Sequence, residues 1–139
     1  MAKEENELLK LIYERLCSID PLVKKIAVEP KEPGINISFV ELQNICYMTS
    51  KSDSERNETV LVSDKEERFF TNLPLAKLEE KLVGNPHFFR TSKYYIVNLA
   101  KIRGLRMANA RDLFFEGIKE PVLNGVTGTY LEEFEKRFK

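Results

Sequence analysis

The apolar residues of this 139-residue chain change their spacing at Pro21, and this change restricts the possible folds more than any other feature. Residues 4–19 carry apolar side chains at helical intervals, which predicts an amphipathic helix. These side chains are Leu8, Leu9, Ile12, Leu16 and Ile19. Pro21 ends the helix because the residue before a proline is pushed out of the helical region. From residue 22 to residue 72 the apolar runs are short and separated by turn residues, which is typical of strands.

The predicted order of elements is a helix, four or five short strands, a second helix, four or five more strands and a last helix. Because tight turns separate the strands, we expect antiparallel pairing and a mostly β, α+β fold. The predicted strands cover residues 23–28, 35–39, 45–49, 59–63, 68–71, 102–106, 113–116 and 119–123, with a further turn and strand in Phe88–Leu99. The central helix covers residues 72–83 with Asn72 as its cap. The short carboxy-terminal helix contains Tyr130, Leu131, Phe134 and Phe138.

Length and composition indicate one folded domain. A chain with 42% hydrophobic and 32% charged residues has enough apolar surface for one core and does not have the composition of a disordered chain. We therefore divide the chain into an amino-terminal helix, residues 1–20, and a domain, residues 22–139. No apolar run approaches the roughly 20 residues that span a bilayer, and the acidic amino terminus lacks a signal-peptide core. We expect a cytoplasmic protein with no membrane partner.

The sequence offers little for catalysis or metal binding. The chain has one histidine, His87, and two cysteines, Cys17 and Cys46, which are far apart and in no metal-ligand spacing. The segment 124–128, Asn-Gly-Val-Thr-Gly, falls short of a phosphate-binding glycine loop. We therefore expect two free thiols and no enzymatic activity, metal or cofactor.

Residues 81–111 contain seven basic residues and no acidic residue, and we call this range the acid-free window. The basic residues are Lys81, Arg90, Lys93, Lys101, Arg103, Arg106 and Arg111. The whole chain has 22 basic and 22 acidic residues, so the residues outside this window have a net charge of −7. A neutral chain divided in this way predicts an electropositive face that would suit a phosphate-rich partner. The alternative is that these cations only solvate the faces of strands.

The stretch Phe88–Leu99 lies inside this window and has two kinds of residue. Its aromatic and aliphatic side chains have the pattern of a core: Phe88, Phe89, Tyr95, Val97 and Leu99. Its polar side chains have the character of groups offered to an anionic, hydrogen-bonding partner: Arg90, Thr91, Ser92, Lys93 and Asn98. Cations hold phosphates, while hydroxyls and amides fix the register of a protein on a duplex.

This stretch resembles a known family, the LytTR-type DNA-binding domain of bacterial transcription regulators. The central motif of the family reads roughly Phe-x-Arg-x-His-Arg-Ser-Tyr-Leu-Val-Asn, and residues 88–98 read Phe-Phe-Arg-Thr-Ser-Lys-Tyr-Tyr-Ile-Val-Asn. Three further segments follow the order of the family: residues 40–47, the leucine-rich segment 73–82 and the closing segment 121–130. The resemblance covers about residues 36–138.

The resemblance implies an elongated stack of short antiparallel sheets that contacts the major groove of double-stranded DNA through loops instead of a recognition helix. The implied loops are Ser50–Thr59, Arg90–Tyr94 and Asn124–Thr129. The resemblance implies phosphate contacts from Lys51, Arg56, Arg90, Lys93 and Lys101. It implies hydrogen bonds to DNA from Thr91, Ser92, Asn98 and Thr127.

Departures from the family pattern at three positions leave a second interpretation open. Ser92 and Lys93 replace the family's His-Arg pair, and Gly128 occupies the position of a base-reading arginine in the closing loop. The first hypothesis is a sequence-specific DNA-binding transcription regulator. The alternative is a LytTR-like protein-interaction module with weakened or lost DNA binding, in which residues 4–19 form the partner surface. In either case these residues are candidates for a contact with a second copy or another protein.

Overall fold

The computed structural model describes residues 7–8, 24–50, 58–107 and 111–137. These residues form ten strands and two α-helices, together with 3₁₀ turns at Leu42–Asn44 and Leu99–Lys101. The strands are β1 Lys25–Val28, β2 Ser38–Glu41, β3 Ile45–Thr49, β4 Thr59–Ser63, β5 Arg68–Thr71, β6 Phe88–Arg90, β7 Tyr95–Asn98, β8 Ile102–Met107, β9 Arg111–Phe115 and β10 Val122–Val126. The helices are α1 Leu75–Lys81 and α2 Gly128–Lys136.

Every strand pairing among the described residues is antiparallel. A two-stranded sheet pairs β1 with β2, a five-stranded sheet has the order β5-β4-β3-β7-β6, and a three-stranded sheet has the order β10-β9-β8. The prediction of a mostly β fold with antiparallel sheets is confirmed.

The core lies on both faces of the five-stranded sheet. Successive residues of a strand point to opposite faces, so Leu61 packs with Leu78 of α1 while Val60 and Val62 pack with the other cluster. That second cluster contains side chains from the three-stranded sheet and from α2, including Phe115 and Phe134. The central strands β3 and β7 are therefore held from both sides, and they fix the loops that leave their ends.

The strands from β3 to β5 occupy the predicted residues, whereas the second strand does not. It begins at Ser38 and not at residue 35, because β1 pairs with residues 38–41. Ile35 and Phe39, the first and last residues of the predicted strand, are each 40% exposed. The central helix begins at Leu75, and its cap is Pro74 instead of Asn72.

The prediction for the last hairpin is also wrong by several residues. Gly117 has a positive φ of 77°, which makes a turn possible between β9 and the residues that follow. The partner strand of β9 is Val122–Val126 and not residues 119–123. Asn124, predicted to begin a loop, lies in this strand with φ 54°, where the register between Val122 and Val126 shifts.

The amino-terminal segment is described only at Glu7 and Leu8, which are helical. The remainder of the helix predicted for residues 4–19 lies outside the described residues. Within the described ranges, no helix combines the length and the apolar character that crossing a membrane requires.

Candidate nucleic-acid interface

Two loops leave the five-stranded sheet at the same end of its strands. Thr49, the last residue of β3, lies opposite Tyr95, the first residue of β7, and opposite Val60 near the start of β4. The loop that follows β3 and the turn between β6 and β7 must therefore emerge side by side. A hydrogen bond joins them, since the Ser50 backbone N–H donates to the Tyr94 carbonyl oxygen at 3.1 Å.

The junction between β10 and α2 lies at the same end of the sheet. The backbone N–H of Thr127 donates to the carbonyl oxygen of Thr91 at 3.0 Å. This bond ties the three-stranded sheet and the start of α2 to the turn between β6 and β7. We call this end of the molecule the loop edge and define it by Ser50, Thr91–Tyr94 and Thr127.

The loop edge brings together parts of all three loops that the resemblance implied. Residues 91–94 and Thr127 are joined directly, and Ser50 begins the third loop. Lys51 and Arg56 lie in residues 51–57, outside the described residues, so their contacts with DNA stay predictions.

Arg90 stabilises the turn between β6 and β7 by donating hydrogen bonds to its backbone carbonyl oxygens. Its Nε donates to the Ser92 carbonyl oxygen at 2.6 Å and its Nη2 donates to the Lys93 carbonyl oxygen at 2.8 Å. Its Nη1 lies 3.3 Å from Oε1 of Glu79 on α1, and only 14% of the Arg90 side chain is exposed. This largely buried position does not favour the phosphate contact predicted for Arg90. Its guanidinium fork is engaged by the turn and by α1, because a planar donor set fits two adjacent carbonyls and a carboxylate.

Thr91 and Ser92 are buried, at 0% and 1% exposure, although both were predicted to face a DNA partner. The Ser92 hydroxyl accepts a hydrogen bond from the Tyr94 backbone N–H at 3.0 Å, so it shapes the turn. The Thr91 hydroxyl oxygen is buried without a hydrogen-bond partner among the described residues. The burial of both side chains does not favour their predicted contacts with DNA.

The exposed tip of the turn consists of Lys93 and Tyr94. The Tyr94 side chain is 44% exposed, and the Lys93 Nζ lies 5.8 Å from the centre of its ring. Lys93 makes no salt bridge with any residue in the described ranges. Tyr94 was not among the predicted site residues. The neighbouring core residue, Tyr95, could have pointed to it, since adjacent strand residues face opposite ways.

Asn98 and Lys101 lie at the other end of the β6–β7 hairpin, away from the loop edge. Asn98 is buried opposite Phe88, where its Nδ2 donates to the Ile45 carbonyl oxygen at 2.9 Å. Its Oδ1 accepts from the Ala100 backbone N–H at 3.0 Å. Because its amide is engaged in the core, this position does not favour the DNA contact predicted for Asn98, which stays a prediction.

Lys101 is held by an acidic residue from a distant part of the chain. Its Nζ lies 3.1 Å from Oδ2 of Asp64, and this hydrogen bond raises the pKa of Lys101 above its ordinary value. The rise of the strand from Tyr95 to Asn98 alone is about 10 Å, so Lys101 is separated from the loop edge by the length of β7. Its predicted phosphate contact does not fit this position.

The cations of the acid-free window are largely paired in three dimensions. Acidic residues from outside the window lie beside four of them. These pairs are Arg90–Glu79, Lys101–Asp64, Arg106–Asp112 and Arg111–Glu135. Arg103 instead donates to the carbonyl oxygens of Phe115 and Ile118. The acid-free window therefore forms a weaker positive face than its sequence predicts. Lys93 at the loop edge is exposed and is in none of these ion pairs.

Thr127 is half-buried and precedes the first residue of α2. Its side chain makes no capping hydrogen bond, and Gly128 next to it has open space where a Cβ would be. The first N–H groups of a helix carry partial positive charge and suit a phosphate. The loop edge thus combines an exposed lysine, an exposed tyrosine and the start of a nine-residue helix.

A family model matches most of the chain. The model of the LytTr DNA-binding domain matches residues 36–139. This chain belongs to the LytTr DNA-binding domain family. The match covers the five-stranded and three-stranded sheets together with both α-helices, so it includes every residue of the loop edge. The resemblance found in the sequence motifs is confirmed.

A solved structure supports the same fold for this LytTr domain. It is the LytTr DNA-binding domain of a Bacillus cereus protein described as a putative methyl-accepting/DNA response regulator. The two structures superpose with a TM-score of 0.61 at 16% sequence identity, over 84% of this chain and 97% of the other. No curated protein matches the sequence.

Proposed function

We propose that this LytTr domain is a sequence-specific regulator of transcription that inserts its loop edge into the major groove of double-stranded DNA. Membership of a DNA-binding family supports the nucleic-acid partner. The convergence of three loops through two backbone hydrogen bonds supports the use of loops as the reading element. The observation that carries the proposal is the bond from Thr127 to Thr91, because it turns separate loops into one surface.

The side chains at this surface suggest distinct roles. Lys93 is exposed at the tip and would neutralise a phosphate. Tyr94 offers a hydroxyl and an aromatic edge to sugar or bases. The N–H groups that begin α2 would hold a second phosphate. Arg90 would not touch DNA and would instead fix the shape of the turn that presents Lys93.

Selection from a random duplex pool tests this function, because it does not require the target sequence to be chosen beforehand. The immobilised full chain should enrich one sequence motif, and the bound motif should protect guanine N7 in the major groove from methylation. The matched control is the Lys93→Gln variant, which should enrich weakly. Recovery of no motif, or protection confined to the minor groove, would contradict the proposal.

A second candidate function is an interaction through residues 4–19. Leu8 is helical and 59% exposed, so one apolar residue of this segment is available in the structure. Light scattering on the full chain and on a variant lacking residues 1–20 would measure the effect on mass. A larger assembly that depends on this segment supports a partner surface, and identical monomeric masses contradict pairing between copies.

A further inference from the structure

Strand β6 lies at an open edge of the five-stranded sheet. The strand order ends at β6, so among the described residues β7 is its only neighbouring strand. A cleft of about 480 Å³ runs beside it, with β6 as its floor. Leu82 and Val83, which follow α1, lie in one wall, and Tyr130 and Arg137 lie in the other. We call this cleft the β6 groove.

The hydrogen bonds of the β6–β7 pair show which backbone groups of β6 point away from β7. At one end of the pair, the Leu99 N–H donates to the His87 carbonyl oxygen at 2.7 Å. At the other end, the Thr91 N–H donates to the Tyr95 carbonyl oxygen at 3.1 Å. In an antiparallel pair, residues that bond to the partner strand alternate with residues whose backbone groups point away from it. The odd-numbered residues of β6 therefore bond to β7, and the even-numbered ones do not.

Phe88 and Arg90 consequently direct their backbone N–H and C=O groups toward the open edge. The backbone of the part of the chain that the structure describes forms no hydrogen bond with these groups. An edge with unpaired N–H and C=O groups is a template for pairing with another strand. The floor of the β6 groove therefore offers the chemistry that recognises a peptide backbone.

The charged side chains of the β6 groove are already engaged. Arg90 pairs with Glu79 at 3.3 Å, and Glu133 lies 3.6 Å from the Nζ of Lys136. The Arg137 guanidinium lies over an aromatic ring of β6, 4.9 Å from its centre. A charged occupant would have to displace one of these partners, whereas an uncharged occupant leaves them in place. The charges of the groove therefore suit an uncharged segment.

Both walls of the β6 groove offer apolar surface. On one face of the sheet lie Leu82 and the exposed side chain of Val83. On the other face lie Phe89 and Tyr130, which are half-buried. Successive side chains of an added strand point to opposite faces, so apolar residues at consecutive positions would pack on both walls.

The shape of the β6 groove favours a single strand over the β6 edge of a second copy. Strand β6 is the floor of the groove, and its walls come from α1 and α2 with the residues that follow them. Because the same walls flank β6 in every copy, they would meet before the two floors could pair. A single extended segment has no such walls and fits between them.

We propose that the β6 groove binds an extended, uncharged and apolar segment of a partner protein, which adds a strand to the five-stranded sheet. The backbone of this segment pairs with the N–H and C=O groups of Phe88 and Arg90. Its side chains pack on Val83 and Tyr130. Because β6 has 3 residues, a segment of similar length pairs with it. This interaction does not depend on DNA binding.

The neutral peptide acetyl-Gly-Ser-Val-Ile-Val-Ser-Gly-amide is the probe, titrated into the full-length ¹⁵N-labelled chain. The amide shifts of Phe88, Phe89 and Arg90 should change and saturate. Hydrogen exchange of the Phe88 and Arg90 amides should slow by about tenfold or more, because each N–H gains a backbone acceptor. The Lys93 amide, at the loop edge, should keep its exchange rate.

Two N-methylated forms of the probe distinguish strand addition from unspecific apolar contact. One form carries N-methyl groups on both valines, and the other carries one on the isoleucine. Alternate amides of an added strand face the sheet, so one form should lose binding and the other should keep it. Equal affinities of the two forms would overturn the proposal.

A variant of the groove wall tests the position of the peptide. Val83→Glu places a carboxylate on the apolar wall and should weaken peptide binding about fivefold. Leu123→Glu changes an exposed leucine of β10 outside the groove and should bind the peptide as the unmodified chain does. Amide spectra without peptide show whether each variant is folded. Equal peptide affinities of the two folded variants would contradict binding in the β6 groove.

Two further results would overturn the proposal. The first is the absence of saturable shifts at millimolar peptide. The second is slow exchange of the Phe88 and Arg90 amides before peptide is added, which would show that the edge is already occupied. Slow exchange that is lost on dilution would identify a second copy as the occupant, and slow exchange that persists would identify another part of this chain.

Discussion

Arg90 donates from Nε to the carbonyl oxygen of Ser92 at 2.6 Å, and this bond closes the turn whose tip carries Lys93. The same guanidinium reaches the Lys93 carbonyl oxygen and Glu79 on α1. A residue whose position in the sequence suggests a phosphate contact therefore positions the turn from within. This difference can be measured, because the two roles predict opposite outcomes for charge-preserving substitutions.

Arg90→Lys should weaken DNA binding although the positive charge is kept. A lysine ammonium cannot bridge two carbonyl oxygens and a carboxylate in the geometry of the guanidinium fork. Binding isotherms on a selected duplex would measure the change, and the amide shifts of residues 92–94 would report the shape of the turn. If the Arg90→Lys variant kept full DNA affinity while its amide shifts showed an altered turn, DNA binding would not depend on the shape of the turn.

Glu79→Gln should also lower DNA affinity, by at most about fivefold, because the loss of a partly exposed ion pair amounts to about 0.2–1 kcal/mol. Simple charge balance predicts the reverse, since removing an acid near DNA reduces repulsion. Glu80→Gln is the matched control on the same helix, where Glu80 pairs with Lys77 and not with the turn. Equal or higher affinity for Glu79→Gln than for Glu80→Gln would argue against a positioning role.

Gly128→Arg should raise DNA affinity. The resemblance implies a base-reading arginine at this position. A Cβ added at Gly128 would have nothing within 4 Å, and the residue begins α2 next to the loop edge. A new arginine there can add a phosphate or base contact of about 1–3 kcal/mol. Val83→Arg, at a residue that is 76% exposed, adds the same charge elsewhere. If both variants gain equally, the benefit comes from net charge alone.

Gly117→Ala should destabilise the fold by roughly 2–4 kcal/mol. A Cβ at this position would collide with the Asp64 carbonyl oxygen, and φ is 77°. Gly34→Ala is the control, because Gly34 has φ 84° but nothing within 4 Å of an added Cβ, so only backbone strain changes. Urea unfolding of both variants measures the difference, and similar losses would show that the close approach to Asp64 is relieved without cost.

The ionisation of Asp112, which joins β9 to β10, should make the free energy of unfolding depend on pH. Its pKa is lowered, first by the hydrogen bond from the Asn124 backbone N–H and then by Arg106. The carboxylate therefore contributes stability that is fully present above the ordinary pKa of about 3.9 and is lost as pH falls through the lowered value. The difference in unfolding free energy between the unmodified chain and Asp112→Asn should narrow as the pH is lowered through this range. A constant difference would contradict this role.

The sequence best predicted the elements that depend on neighbouring residues. The residues of β3, β4 and β5 form short β-prone runs bounded by turn residues, so their bounds follow from adjacent positions. The β9–β10 pairing was misplaced because the register shifts between Val122 and Val126, where Asn124 has a positive φ, and such an irregularity does not follow from the preferences of adjacent residues.

The site was harder to predict for the same reason. Glu79 and Asp64 are distant from Arg90 and Lys101 in the sequence, and their pairing depends on the packing of α1 and of the sheets. Polar residues such as Ser92 and Asn98 were interpreted as surface groups, yet their side chains satisfy the backbone of buried turns and strands.

The salt dependence of DNA binding by Lys93→Gln tests the central claim most directly. If Lys93 neutralises one phosphate, the slope of log affinity against log salt should decrease in magnitude by about 0.9, and affinity at low salt should fall. Lys25→Gln, which removes an exposed lysine at the start of β1 and outside the loop edge, should leave the slope unchanged. A slope that is unchanged in Lys93→Gln, or reduced equally in Lys25→Gln, would contradict the assignment of the loop edge as the DNA-binding surface.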